Sequence, residues 1–377
     1  MSDSLGDWND GVNWDPSFGP NDNTHTATFG GAITASRTVV TDEAVTVKAV
    51  TFANTNSYVI GGAGSVTLEA DSGNASITVN GSADAGSHQF QAVVNVASNT
   101  DIDVGAGAEL VFNNALNLNG NTVNKTGAGA LIINNQLNTG GGTLNNNAGS
   151  LQGGGTVGGN LNNNAEVAPT GVLTVNGNYV QAASSTLAID VDGASVFDQL
   201  DVEGTANLDG DLIVSVGSDA DPTMRAQTDE LPLVTADMIN GTFDSVEYDG
   251  MSLSSGSNYA GTNQEGDDGL FRILSYDDTE VTVTNYLAAV GDANGDRVID
   301  GQDFVIWNTN KFTAGNSWED GDFNGDGLVD GQDFVLWNGN KFTSVDGFAV
   351  PEPTFMTGGW LALLLVSRRL LLRRGGR

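Results

Sequence analysis

A twelve-residue pattern occurs twice near the end of this chain, offset by 30 residues. The first copy is Asp292-Ala-Asn294-Gly-Asp296-Arg-Val298-Ile-Asp300-Gly-Gln-Asp303. The second is Asp322-Phe-Asn324-Gly-Asp326-Gly-Leu328-Val-Asp330-Gly-Gln-Asp333. Oxygen-bearing side chains fall at loop positions 1, 3, 5, 9 and 12, and position 7 (Val298, Leu328) offers a backbone carbonyl. A hard cation such as Ca²⁺ takes such an all-oxygen set, in the order an EF-hand loop presents it. These twelve residues are the candidate metal ligands, six per loop, for two calcium ions. Each loop leads into nearly the same stretch, 301–312 and 331–342, with two differences between the copies. Phe304 and Trp307, then Phe334 and Trp337, are spaced i,i+3, which predicts a short amphipathic helix after each loop. Chance Asp-Gly turns in an acidic chain do not need matching helices behind them.

A calcium-type loop followed by one helix, duplicated, with Asp rather than Glu at position 12, resembles a dockerin module. The resemblance covers about 55 residues, assigned to 288–346. It implies a small α module that folds on Ca²⁺ and docks to a cohesin-like or other surface protein. Loop positions 10 and 11 are Gly301-Gln302 and Gly331-Gln332, and the helices carry Asn308-Thr309 and Asn338-Gly339. Cellulosomal dockerins often have Ser/Thr and Lys-Arg there, so calcium binding carries over and the partner's identity does not. Arg297 stands at loop position 6, where Gly ordinarily relieves a sharp turn, so the first site is expected to be the weaker.

The formal net charge is −34, and residues 1–350 hold eight Lys/Arg against 46 Asp/Glu. Such a surface repels nucleic acid and anionic lipid, and nucleic acid is excluded as a partner. The chain has no cysteine, so no disulfide staples it.

From about Ala32 to Asp190, runs of three to six residues alternate between apolar and polar, separated by Gly/Asn/Asp/Ser turns. Val45–Val50, Ile77–Val79, Leu110–Phe112 and Leu131–Ile133 are examples. No helix-length window intervenes. Residues 113–164 contain sixteen Asn, while leucines and valines still recur through them. Stacked coils let Asn sit above Asn and bond along the stack, which favours a solenoid over a sandwich or a disordered tract. The stretches 116–133, 140–144 and 151–161 resemble autotransporter-associated β-strand repeats. That family implies a passive right-handed parallel β-helix, loosely over 31–215. Residues 216–287 are expected to form a β cap that closes the stack, and 217–230 a loop. Residues 1–30 are expected to form an N-terminal cap. Trp8 and Trp14 read as covering the core there, with a sugar-stacking pair as the alternative.

Asp190, Asp192, Asp198 and Asp201 are the densest carboxylate cluster outside the duplicated loops. Asp190 and Asp192 should share one strand face. A solvent-facing row or an incidental calcium site is the plainer reading of them. A lyase acting on acidic sugar needs Arg or Lys beside its carboxylates. Arg37, Lys48, Lys125, Arg225 and Arg272 are scattered, and His25 and His88 are lone residues in polar stretches. No catalytic residue is assigned, and the chain is expected not to be an enzyme.

At the end, Val350-Pro351-Glu352-Pro353 precedes an apolar run, Phe355–Val366, and then Arg368, Arg369, Arg373, Arg374 and Arg377. This order over 350–377 resembles a PEP-CTERM sorting signal. It implies export, transient membrane anchoring, and processing by an exosortase-type enzyme. Met1–Trp8 has neither the basic nor the apolar region of an export leader. A truncated or misassigned start is therefore expected. Together these features resemble exported bacterial proteins of the planctomycete type. The expected role is structural or adhesive, at the cell surface or in the extracellular matrix. The alternative is a component that binds or degrades polysaccharide.

Overall fold

The computed structural model describes residues 6–82, 85–137, 140–193, 196–217, 230–253, 260–261, 270–314, 318–324 and 327–344. Residues 350–377, where the sequence leads us to expect a sorting signal, lie outside them. Among the described residues no helix is long and apolar enough to cross a membrane. The chain is mainly β, with parallel sheets and few helices. It divides into two compact units, the second beginning in the main at Tyr286.

The first unit is built from two parallel ladders. One climbs through Arg37–Val40, Tyr58–Gly61, Ser87–Phe90, Glu109–Phe112, Ala130–Ile133, Ser150–Gly153, Glu166–Pro169, Thr186–Gly193 and Asp211–Val216. The other holds two columns side by side, and Val45–Phe52 near one end and Gln199–Leu208 near the other each pair with both. Between ladder steps the chain visits the columns in a fixed order. After Ser87–Phe90 it passes through Val93–Val96 and Thr100–Val104, then returns at Glu109–Phe112. Each circuit therefore stacks one rung on the last.

Alternation fixes what faces inward, because successive side chains of a strand point to opposite faces. On the first ladder Leu110, Leu131, Leu151, Val167, Leu187 and Leu212 are successive register partners, and each is fully buried. Turns between rungs leave no room for a side chain at some corners. Gly153 has φ +109°, and a Cβ there would collide with the Ile133 carbonyl one rung away.

The two ends are closed differently. Gly6–Asp7 and Asp22–Phe29 are themselves the first strands of the two ladders, so the expected cap at 1–30 is part of the stack. Trp8 is fully buried, its ring 5.4 Å from Trp14 and 5.5 Å from Phe29. Phe29 stacks on Phe52, and Phe52 on His88 at 4.6 Å. Trp8 thus covers the core. The far end turns antiparallel, where Glu230–Gly241 pairs with Glu280–Leu287 and Ser245–Tyr248 with Met251–Leu253. Of the loop expected at 217–230, residues 218–229 lie outside the described residues.

Two polar columns run along the stack. The outer one matches the expected amide ladder. Asn124 donates to Asp101, Asn145 to Asn124 and Asn162 to Asn145, at 2.8–2.9 Å. The inner column was not anticipated. Lys125, Asn146, Asn163 and Gln181 are successive register partners with at most 3% of their surface exposed. Each donates to backbone carbonyls at the corners: Lys125 to Gly127, Gly129 and Ala148, Asn146 to Glu166, Asn163 to Thr186, and Gln181 to Ser185 and Asp211. Buried carbonyls need such partners, and this column supplies them.

Candidate functional site

The second unit carries the duplicated loops. Each leads into one helix, α1 (Gly301–Asn310) or α2 (Gly331–Asn340). Asp300 and Asp330 cap the helices, accepting from the N–H groups of Gln302 and Gln332. Asp303 and Asp333 reach back to the N–H groups of Asp300 and Asp330 at 2.8 Å, completing two capping boxes. Loop positions 9 and 12 thus start the helices, whatever else they do.

The helices pack through aromatic rings in crosswise pairs. Phe304 lies 5.0 Å from Trp337, and Trp307 lies 5.1 Å from Phe334. Each loop also bonds to the segment behind the other helix. Phe312 N–H donates to the Val329 carbonyl, and Phe342 N–H to Ile299. Val298–Ile299 pairs antiparallel with Thr343–Ser344.

Within the first loop, Asp292 and Asp303 are both fully buried. Asp292 accepts from Gly295 N–H (2.8 Å) and Arg297 N–H (3.1 Å), and Asp303 from Ala293 and Asn294. Burial pushes the Asp303 carboxyl up to about 7; the N–H groups that bond it oppose this, and the nearby negative charge of Asp292 adds to it. The second loop repeats the arrangement. Asp322 and Asp333 are fully buried, Asp322 accepts from Gly327 N–H at 2.6 Å, and burial again raises Asp333. Arg297 and Gly327 share the left-handed backbone, at φ 71° and 78°.

The structure therefore brings positions 1 and 12 of each loop together. The remaining candidates are arranged differently. Asp296 accepts from the Asn294 amide and from Val298 N–H, both at 2.9 Å, and Asp296 N–H donates to Asn294 Oδ1. Asn324 donates its backbone N–H to Asp333. Leu328 is partly exposed and makes a bridge with Ala314. Asp326 lies outside the described residues. Among the described residues no group of three or more acidic or histidine side chains gathers closely enough to hold a metal ion. The donor chemistry nevertheless fits a hard divalent cation. Every candidate atom is an oxygen, and in each loop two buried carboxylates lie near enough for the charge of one to raise the pKa of the other. If Ca²⁺ binds, Asp292 with Asp303 and Asp322 with Asp333 are the pairs that would hold it, and its charge would offset their repulsion.

Elsewhere, Asp190, Asp192 and Asp198 line one open cavity of about 480 Å³ with Phe197 and Gly171. Asp198 accepts from Gly171 N–H at 2.5 Å, and burial raises its pKa, with Asp190 and Asp192 adding to the rise. Asp201 is not among the residues that line this cavity and accepts from the Thr235 hydroxyl at 2.7 Å. No cation lines the cavity among the described residues. Lys48 pairs with Asp71, and Lys125 is buried in the inner column. Arg225 lies outside the described residues.

His88 lies in a polar stretch of sequence but inside the stack. It is fully buried, accepts from Tyr58 N–H at Nδ1 and donates from Nε2 to the Asn54 carbonyl. The inner polar column left a legible trace in the sequence. Lys125, Asn146, Asn163 and Gln181 each follow by two a buried apolar residue, Val123, Leu144, Leu161 and Tyr179, so alternation places them inward.

The chain matches no protein-family model, and no curated protein matches it.

Proposed function

We propose that this chain is an exported structural or adhesive protein of the cell surface or extracellular matrix. In this reading its body is a right-handed parallel β-helix. A dockerin-like module, 288–346, attaches it through Ca²⁺ to a cohesin-like or other surface protein. The tail 350–377 anchors it transiently in a membrane until an exosortase-type enzyme removes it. The observation that carries the reading is the duplication of the loop–helix unit with its first and last carboxylates buried in pairs. Two ions are the natural occupants of two such pairs. The coiled ladders support a passive role, since their interior is filled by side chains. The acidic surface suits an extracellular protein and disfavours nucleic acid. The other reading, a component that degrades polysaccharide, would use the Asp190, Asp192 and Asp198 cavity, and the absence of a lining cation among the described residues weighs against it.

Calcium titration of the full chain by calorimetry, with circular dichroism alongside, tests the module. Two bound ions and a coupled gain of helix are expected. Removal of both sites by Asp292→Asn with Asp322→Asn should abolish the heat. An absence of binding in the unaltered chain would overturn the reading.

A further inference from the structure

Beside the first rung, the loop 13–20 and the exposed face of Asp22–Phe29 enclose an open groove of about 500 Å³. A groove of this size suits a small ligand or a few units of a longer one. Its lining is aromatic on one side and hydroxylic on the other. Phe18 is 49% exposed although it is a large apolar ring, and it lies 5.3 Å from the His25 ring. Trp14 is held in place by its indole N–H, which donates to the Trp8 carbonyl at 2.7 Å. Thr24, Thr26 and Thr28 alternate along the strand, so their side chains share the exposed face.

The Thr24 hydroxyl donates to Asp22 at 2.6 Å, while the other polar groups are available for a ligand. His25 accepts from Asn21 N–H at Nδ1, which leaves Nε2–H as a donor with no protein partner among the described residues. The Thr26 and Thr28 hydroxyls likewise have none there. Asp15 lines the groove, and among the described residues no Lys or Arg does. Aromatic faces beside a row of hydroxyl, imidazole and carboxylate groups match a ring with apolar C–H faces and polar hydroxyl edges. The absence of a lining Lys or Arg among the described residues, beside Asp15 and in a chain of net charge −34, disfavours an anionic sugar.

We propose that this groove binds a neutral oligosaccharide or polysaccharide segment, stacked on Phe18 and Trp14 and hydrogen-bonded by His25 and the threonine row. This goes beyond the calcium-dependent attachment and does not depend on it, since no residue of the duplicated loops takes part. The full chain is titrated calorimetrically with cellohexaose, xylohexaose and mannohexaose in the presence of EDTA, with hexagalacturonate as the anionic control. Saturable binding of at least one neutral hexasaccharide is expected, and none of the uronate. Phe18→Ala should weaken that binding about tenfold, as loss of one stacking ring does. Thr26→Val, an exposed substitution, should weaken it less, and neither should shift the melting temperature. The proposal is overturned if no neutral probe binds at millimolar concentration. It is also overturned if both variants bind as tightly as the parent, or if the uronate binds equally well.

Discussion

Trp307 donates its indole N–H to the backbone carbonyl of Asp330 at 2.9 Å, and Trp337 makes the same bond to Asp300 at the same distance. Each helix thus holds the loop that starts the other. The carbonyls involved belong to the two helix-capping residues. Loop conformation and helix packing are therefore coupled across the duplication, and the calcium affinity proposed for the loops should depend on both helices.

Trp337→Ala should destabilise the second unit by about 3–5 kcal/mol, the usual range for losing a buried large aromatic side chain. It should also weaken calcium binding at the first loop, through Asp300. Thermal unfolding followed by tryptophan fluorescence, with and without calcium, checks both effects. Equal calcium heats in parent and variant would show that the loops are independent.

Arg297 adopts a left-handed backbone that its counterpart Gly327 adopts freely. Such a conformation costs a side-chain-bearing residue about 1–2 kcal/mol. Arg297→Gly should raise calcium affinity at the first loop about fivefold or more. Calorimetry in an Asp322→Asn background, which leaves only that loop, reads the change.

Burial pulls His88 from an ordinary value of 6.5 down to about 4, its bond to the Asn54 carbonyl partly opposing the shift. Between those values the unfolded chain holds more protons than the folded one. Stability contributed by neutral His88 is thus present above about 6.5 and is lost as pH falls toward 4, by roughly 3 kcal/mol in all. Urea midpoints measured from pH 4.5 to 7.5 should rise with pH in the parent. His88→Phe should show a shallower rise over the same range, and parallel curves would exclude His88 as the titrating group.

The two polar columns should respond unequally. Asn163→Ala leaves the buried Thr186 carbonyl without its amide partner, which costs about 1–3 kcal/mol. Asn145→Ala breaks bonds to Asn124 and Asn162 that solvent can replace, and should cost about 1 kcal/mol or less. Chemical denaturation of the two variants side by side distinguishes them.

Much of this protein is local in its sequence. Two-residue alternation marked the strands, the Asn runs marked the outer ladder, and the repeated Asp and aromatic spacing marked the loops with their helices. Each of these is a short-range pattern, so it survives without knowledge of what lies above or below. The roles of His88, Lys125 and Asn163 were decided by the stack. Each has a partner on another circuit, as His88 meets Asn54, Lys125 meets Ala148 and Asn163 meets Thr186, and register sets those meetings. The same holds for the crosswise tryptophan bonds and for the separation of Asp201 from Asp198, which are near neighbours in sequence and face different surroundings. Sequence by itself determined which residues are able to face inward or carry oxygen. Only the tertiary structure decided which of them meet, because a parallel stack brings together residues from different circuits that no local period connects.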